Sequence, residues 1–227
     1  LLSRRQRQMC IRDRNRKEEK EIRVNLFIPS VLTWHEGDVE LVQRNRLPDS
    51  DRVELTMNLK KKQRLILWIR KPDWADKATL IINGKAEQLL LGNDGYWMID
   101  KVWNRKNRIS LQLPMHTYTE NLIGTGRYVA LLYGPYVLAG RMGKENLPST
   151  FWGKMNNTAM NKMDLSKVPV FNIPATQIPD HVEPVFERGT LRFNIHLKGF
   201  ENVVLEPFYK IHFERYAIYW PTASSNE

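Results

Sequence analysis

Between residues 39 and 113 the chain keeps repeating one pattern: a short run in which apolar and polar side chains alternate, then a turn signal. Arg52–Leu59 shows it most plainly, with Val53, Leu55, Met57 and Leu59 at every second position. A period of two puts such side chains on one face of a sheet, whereas a helix needs a period of 3.6. Ile109, Leu111 and Leu113 repeat the pattern before Pro114, and residues 64–70 form an apolar run closed by Lys71-Pro72-Asp73. Residues 78–83 run into Asn83-Gly84, which suits the positive backbone angles of a two-residue hairpin turn, and Lys85-Ala86-Glu87 leads back. Residues 24–28 (closed by Pro29-Ser30), 39–44 and 96–100 complete the set. Seven short strands with closely spaced turns predict an antiparallel β-sandwich. No helix-length amphipathic pattern interrupts them, which argues against crossover helices and a parallel sheet.

A second unit begins near Met115. Tyr128–Tyr133 is apolar on both faces, as a central strand is. Gly134-Pro135 breaks it, residues 136–139 resume, and further strands are expected at 191–197, 203–206 and 215–220. Residues 141–168 are rich in Met, Asn and Lys and read as a long loop or short helix. The fold class expected is all-β: two consecutive antiparallel β-sandwich domains, 21–114 and 115–221, with a polar, fraying tail at 222–227. A length of 227 residues suffices for two domains of about 100 residues each. With 42% hydrophobic residues the chain can bury proper cores. No apolar run approaches the roughly 20 residues that span a bilayer, so no membrane partner is expected.

The formal charge is +10, and its location decides what it means. Residues 1–20 hold eight Lys or Arg against three Asp or Glu, a net of +5, so the other 207 residues also carry +5. Residues 1–14 have neither a helical apolar face nor strand alternation, and RQMCIRDR resembles translated sequencing-adapter read-through. Residues 1–20 are therefore expected to be an unstructured or artefactual basic segment, with a natural basic arm as the alternative. Elsewhere Lys60-Lys61-Lys62 is the notable cluster, and a solvated turn accounts for it. Nucleic acid is not an expected partner.

Catalytic signatures are missing from the residues themselves. Glu36, Asp38, Asp49 and Asp51 lie in expected turns, where carboxylates commonly bond their own backbone. The five histidines, His35, His116, His181, His196 and His212, are dispersed and form no HxH or HExxH pattern. Gly124-Thr125-Gly126 precedes a strand rather than a helix, so it fails as a phosphate loop. No GxSxG nucleophile turn occurs. The single cysteine, Cys10, excludes an internal disulfide framework. Seven tryptophans are more than usual; Trp68 and Trp220 fall in strands and read as core. Trp74 and Trp103 flank turns and are the candidates for contact with a sugar ring.

Several stretches together are similar to one family. Val24-Asn25-Leu26-Phe27-Ile28-Pro29-Ser30 resembles the YVNLYIPS-type segment of glycoside hydrolase family 127, the β-L-arabinofuranosidase type. Residues 67–75, LWIRKPDWA, are similar to its LRxPxWA segment, and Ile82-Asn83-Gly84-Lys85 to its INGK hairpin. Residues 128–140, YVALLYGPYVLAG, resemble its ALxYGPLVLA strand pair. Pro207-Phe208-Tyr209-Lys210-Ile211-His212 with Arg215-Tyr216 and Tyr219-Trp220 is similar to its closing PFYxIHxxRYxxYW. Order and spacing agree over residues 22–221.

The resemblance implies a larger enzyme, in which an (α/α)6 barrel carries the active site and two β-sandwiches follow. It implies a zinc-bound cysteine thiolate as nucleophile, a glutamate as acid/base, and zinc-ligating cysteines that include an adjacent Cys-Cys pair. A thiolate held on zinc is deprotonated at neutral pH, so that chemistry is reasonable. Those positions lie upstream of VNLFIPS, and Cys10 is not followed by a second Cys. No catalytic or metal residue can be carried over to this chain; zinc is expected in the missing catalytic domain of the parent. The expectation is a non-catalytic C-terminal sandwich region, inactive alone, whose partner is its own missing barrel. For the parent enzyme the implied partners are plant-type arabinose-containing glycans. Phe208, Tyr209, His212, Tyr216 and Trp220 are then candidates for packing between domains. The alternatives are a carbohydrate-binding module acting through Trp74 and Trp103, and a basic interaction protein acting through residues 1–20.

Overall fold

The computed structural model describes residues 11–16, 19–92, 94–124, 126–144, 168–187 and 190–223. They divide into two compact units, Leu1–Met115 and His116–Glu227.

Unit 1 is built from two sheets. Strands β3 (Ser30–Trp34), β4 (Val39–Asn45), β5 (Arg52–Leu59), β7 (Thr79–Ile82), β8 (Lys85–Glu87) and β11 (Lys106–Gln112) form one, in the order β3-β4-β5-β11-β7-β8. β1 (Ile11–Arg16), β2 (Glu19–Val24), β6 (Gln63–Arg70), β9 (Leu90–Leu91) and β10 (Tyr96–Trp103) form the other, in the order β1-β2-β6-β10-β9. Alternation becomes burial as the period predicts. Val53, Leu55, Met57 and Leu59 of β5 meet Leu65, Leu67 and Ile69 of β6 in one core, with Trp34, Trp97 and Trp103. Asn83 and Gly84 both take positive φ, 51° and 81°, and Ile82 pairs with Lys85, the tight turn that Asn-Gly permits.

Four features differ from the sequence reading. Within the expected unstructured segment 1–20, residues 11–16 and 19–20 belong instead to paired strands, Ile11–Arg16 and Glu19–Val24, with Ile11 opposite Val24. Backbone pairing requires no apolar alternation from an edge strand. The sheets are not wholly antiparallel, because β2 runs parallel to β6. The chain leaves β2, builds three strands of the opposite sheet and returns, the kind of long crossover a parallel pair needs. Trp68 is not core: it lies half-buried under the Arg23 guanidinium, 4.9 Å from its ring centre. Residues 25–28 are not a strand. Their carbonyls are taken by amide side chains of β4: Gln43 donates to the oxygens of Leu26 (2.9 Å) and Ile28 (2.8 Å), and Asn45 to that of Phe27 (2.9 Å). Ladder bonds are thus replaced by side-chain bonds, which satisfy the same backbone groups.

Unit 2 is one branched sheet of eight strands. Its main path is β12 (Thr117–Asn121), β13 (Tyr128–Tyr133), β14 (Tyr136–Arg141), β17 (Val204–Pro207), β16 (Thr190–Ile195) and β15 (Val182–Glu187). It forks along β13, where Leu131–Tyr133 pair with β14 but Tyr128–Ala130 pair with β19 (Tyr219–Pro221). β18 (Tyr216–Ala217) extends β14 beside the fork. Val129, Leu131, Phe171, Phe193, Phe200, Leu205 and Trp220 fill the core. Phe171 stacks on Phe200 at 4.3 Å, and Trp220 tilts against both. The expected tail also needs correction. Thr222 N–H donates to Arg127 and Ala223 N–H to Phe171, so the chain through residue 223 is held by backbone bonds. Most of the expected loop at 141–168, including Trp152, lies outside the described residues.

Close packing fixes Gly140 in unit 2. A Cβ on Gly140 would stand 2.5 Å from the Trp220 ring, and Met142 is next nearest.

Candidate functional site

Chemistry-bearing side chains gather in two places, one in each unit. In unit 2 the strand β17 is buried along Leu205, Glu206 and Pro207, so a carboxylate stands in an otherwise apolar stretch. It survives burial because two guanidiniums reach it. Arg141 Nη2 lies 2.7 Å from one Glu206 oxygen and Arg192 Nε 2.9 Å from the other. Arg141 also holds Glu214 at 2.6 Å. The bond to Glu206, then that to Glu214, raises the Arg141 pKa above its already high ordinary value, against the opposing effect of partial burial. Glu206→Gln is expected to destabilise unit 2 by about 1.5–3 kcal/mol, the range for a hydrogen bond to a charged group. The partial exposure of both arginines draws the value toward the lower end. Urea titration of the variant checks it, and a loss below about 0.5 kcal/mol would reduce the network to a surface ion pair.

Directly after Glu206 the chain enters a 3-10 turn, Phe208–Lys210, which brings rings to the surface. Phe208 meets Tyr216 at 4.8 Å and Tyr209 meets Tyr136 at 5.5 Å between ring centres. Of the five packing candidates, Phe208, Tyr209, His212 and Tyr216 are exposed, whereas Trp220 is fully buried in unit 2's own core. Phe213, beside them, is 70% exposed. Isolated surface rings are ordinary, but a cluster of this kind is a surface with something to bury.

In unit 1 the two sugar-contact candidates part ways. Trp103 is 1% exposed, and its indole N–H donates to the Leu65 carbonyl at 2.8 Å. It presents no face to a sugar. Trp74 is half-buried against the core. Turn position alone suggested both, yet Trp103 ends β10 on the inward parity of Trp97 and Ile99.

An open cleft of about 1070 Å³ lies where the β10–β11 turn meets the ends of β5 and β7. Asn107, buried at its base, organises it. Its amide donates to the Asn104 and Met57 carbonyls, and its oxygen accepts from Asn83 and from the Asn104 N–H. Arg105, Lys106 and Arg108 line the opening with Asn58 and Thr56. A smaller hollow of about 350 Å³ adjoins it through Asn58 and Leu59. There Lys60 pairs with Asp38 at 2.8 Å, and that bond holds the Asp38 carboxyl below its ordinary pKa. Sequence reading missed this cleft because its residues come from two strands, β5 and β11, and two turns, and no single segment signals it.

Among the described residues no three His, Cys, Asp or Glu side chains stand together as metal ligands. The donor set for a zinc–thiolate centre is therefore not present in these residues, and Cys10 lies outside them.

Residues 21–115 match the family model described as the β-L-arabinofuranosidase GH127 middle domain. Residues 118–222 match a model described as a domain of unknown function, DUF4986. No curated protein matches the chain. Among solved structures, a GH127 β-L-arabinofuranosidase from Geobacillus stearothermophilus T6 superposes with a TM-score of 0.65 at 16% identity, covering 93% of this chain and 35% of its own. A glycoside hydrolase gives 0.58 at 15% identity, covering 89% and 36%. A GH127 β-arabinofuranosidase gives 0.57 at 14%, covering 91% and 35%. The chain thus shares the β-sandwich fold of these enzymes and spans about a third of their length.

Proposed function

Because residues 21–115 match the model of the GH127 β-L-arabinofuranosidase middle domain, we propose that this chain is the non-catalytic β-sandwich region of a glycoside hydrolase. Its role is to brace a catalytic barrel located elsewhere in the parent enzyme, where a zinc–cysteine centre would cleave arabinofuranosides. The observation that carries this reading is the exposed ring cluster of Phe208, Tyr209 and Tyr216 in the second unit. A unit with a complete core of its own has no internal use for such rings, and a packed neighbour would bury them. The Arg141–Glu206–Arg192 network, centred on the buried Glu206, ties β14, β17 and β16 together just before the chain enters the Phe208–Lys210 turn.

The purified chain is expected to show no turnover of 4-nitrophenyl arabinofuranosides, with or without added zinc. Turnover above background that survives repurification would overturn the proposal. A second measurement addresses bracing itself. Phe208→Ser with Tyr216→Ser should reduce binding of a hydrophobic dye while changing unfolding free energy by less than about 0.5 kcal/mol, as surface substitutions do. A larger loss of stability would mean that the rings serve unit 2's own core.

A further inference from the structure

We propose that the cleft at the β10–β11 turn of unit 1 is a binding site for an anionic polysaccharide, one that carries carboxylates among its hydroxyls. Arg108 stands opposite Thr56 and Lys106 opposite Asn58 across β11 and β5. Alternation sends Ile109, Leu55 and Met57 inward, so the four partners project together from the solvent face. Their mutual placement is set by a ladder, not by a loop. Arg105 adds a third cation from the turn, whose backbone is fixed by the bond from Leu59 N–H to the Arg105 carbonyl.

What matters for these cations is that three of them line one cleft. Several other basic side chains of unit 1 are paired with acids, Lys60 with Asp38, Arg64 with Asp100, Arg23 with Asp94 and Lys101 with Glu87. Arg105, Lys106 and Arg108 are exposed and make no ion pair among the described residues. No acidic side chain lines the cleft with them. Three uncompensated cations on a fixed frame favour a ligand with several negative charges, and guanidinium matches carboxylate in a two-pronged fit.

The neutral lining says which polyanion. The Asn104 amide and Thr56 hydroxyl have no side-chain partner among the described residues and point to a hydroxyl-rich ligand. No aromatic ring lines the cleft, so the stacking platform that single-stranded nucleic acid uses is lacking. Carboxylates and hydroxyls together describe a uronate-containing glycan.

The test is affinity electrophoresis of the full chain in gels containing polygalacturonate, with neutral arabinan as the comparison. Retardation by polygalacturonate that fades as salt is raised is expected, with none by arabinan. Arg105→Ala with Arg108→Ala should weaken binding by at least about tenfold, equivalent to about 1.4 kcal/mol. Melting curves verify that this variant remains folded. The same loss of charge away from the cleft, Arg46→Ala with Arg70→Ala, should leave binding within about twofold of the parent chain, as net charge then acts only at long range. Absence of retardation, equal retardation by arabinan, equal loss in both double variants, or tighter binding to duplex DNA would each overturn the proposal.

Discussion

Trp103→Ala is expected to cost unit 1 about 3–5 kcal/mol, the range for removing a fully buried Trp side chain. The side chain is 1% exposed, packs in the core that joins both sheets, and closes β10 with a hydrogen bond to Leu65. Truncation leaves a cavity and an unpartnered carbonyl site at once. Such a loss is a large part of the 5–15 kcal/mol that holds a typical domain together. Trp103→Phe should recover most of it, since the ring volume largely returns and one hydrogen bond is lost. Urea unfolding followed by fluorescence of the remaining tryptophans measures both. If Trp103→Ala unfolded at the same midpoint as the parent chain, the residue would not be core and the sugar-contact reading would return.

A comparable loss, about 3–5 kcal/mol, is expected in unit 2 for Trp220→Ala, and here a second substitution sharpens the test. Gly140→Ala alone should cost about 1–3 kcal/mol, because its new methyl would overlap the Trp220 ring. In the Trp220→Ala background that collision is gone, so Gly140→Ala should cost less than about 0.5 kcal/mol and can partly fill the cavity. Additive costs in the double variant would mean that Gly140 answers to something other than Trp220. Residual secondary structure by circular dichroism distinguishes loss of unit 2 alone from loss of the whole chain.

The parts of the fold legible in the sequence are those where packing and periodicity agree. Val53 through Leu59 and Ile109 through Leu113 are buried on every second residue, and Asn83-Gly84 makes its turn. Strands held by backbone pairing gave no such signal. Thr117–Asn121 has no fully buried side chain, and Ile11–Arg16 is mostly charged, yet both complete ladders. Residues 25–28 misled for the opposite reason: they are apolar and extended like a strand, but Gln43 and Asn45 take their carbonyls. The aromatic motif at 207–220 marked a real cluster but grouped Trp220, which faces inward as its strand position suggested, with Phe208 and Tyr216, which face out. Glu206 looked like any strand-end acid, because its partner Arg141 is 65 residues away. The cationic cleft needed the register between β5 and β11, which spacing along the chain does not contain.

The fork along β13 also bears on how the chain is made. Unit 1 has all its strands once residue 112 has been synthesised, and it can close while the ribosome is still working. Unit 2 closes only after residue 221 has been added, because the partner of Tyr128–Ala130 is Tyr219–Pro221, and the bulky Trp220 ring of its interior arrives with that partner. Until then Val129 and Phe171 lack the Trp220 ring, and Phe171 has only Phe200 stacked on it. The second unit therefore keeps part of its apolar interior open for longer during synthesis, the kind of exposed surface that makes an intermediate prone to aggregate.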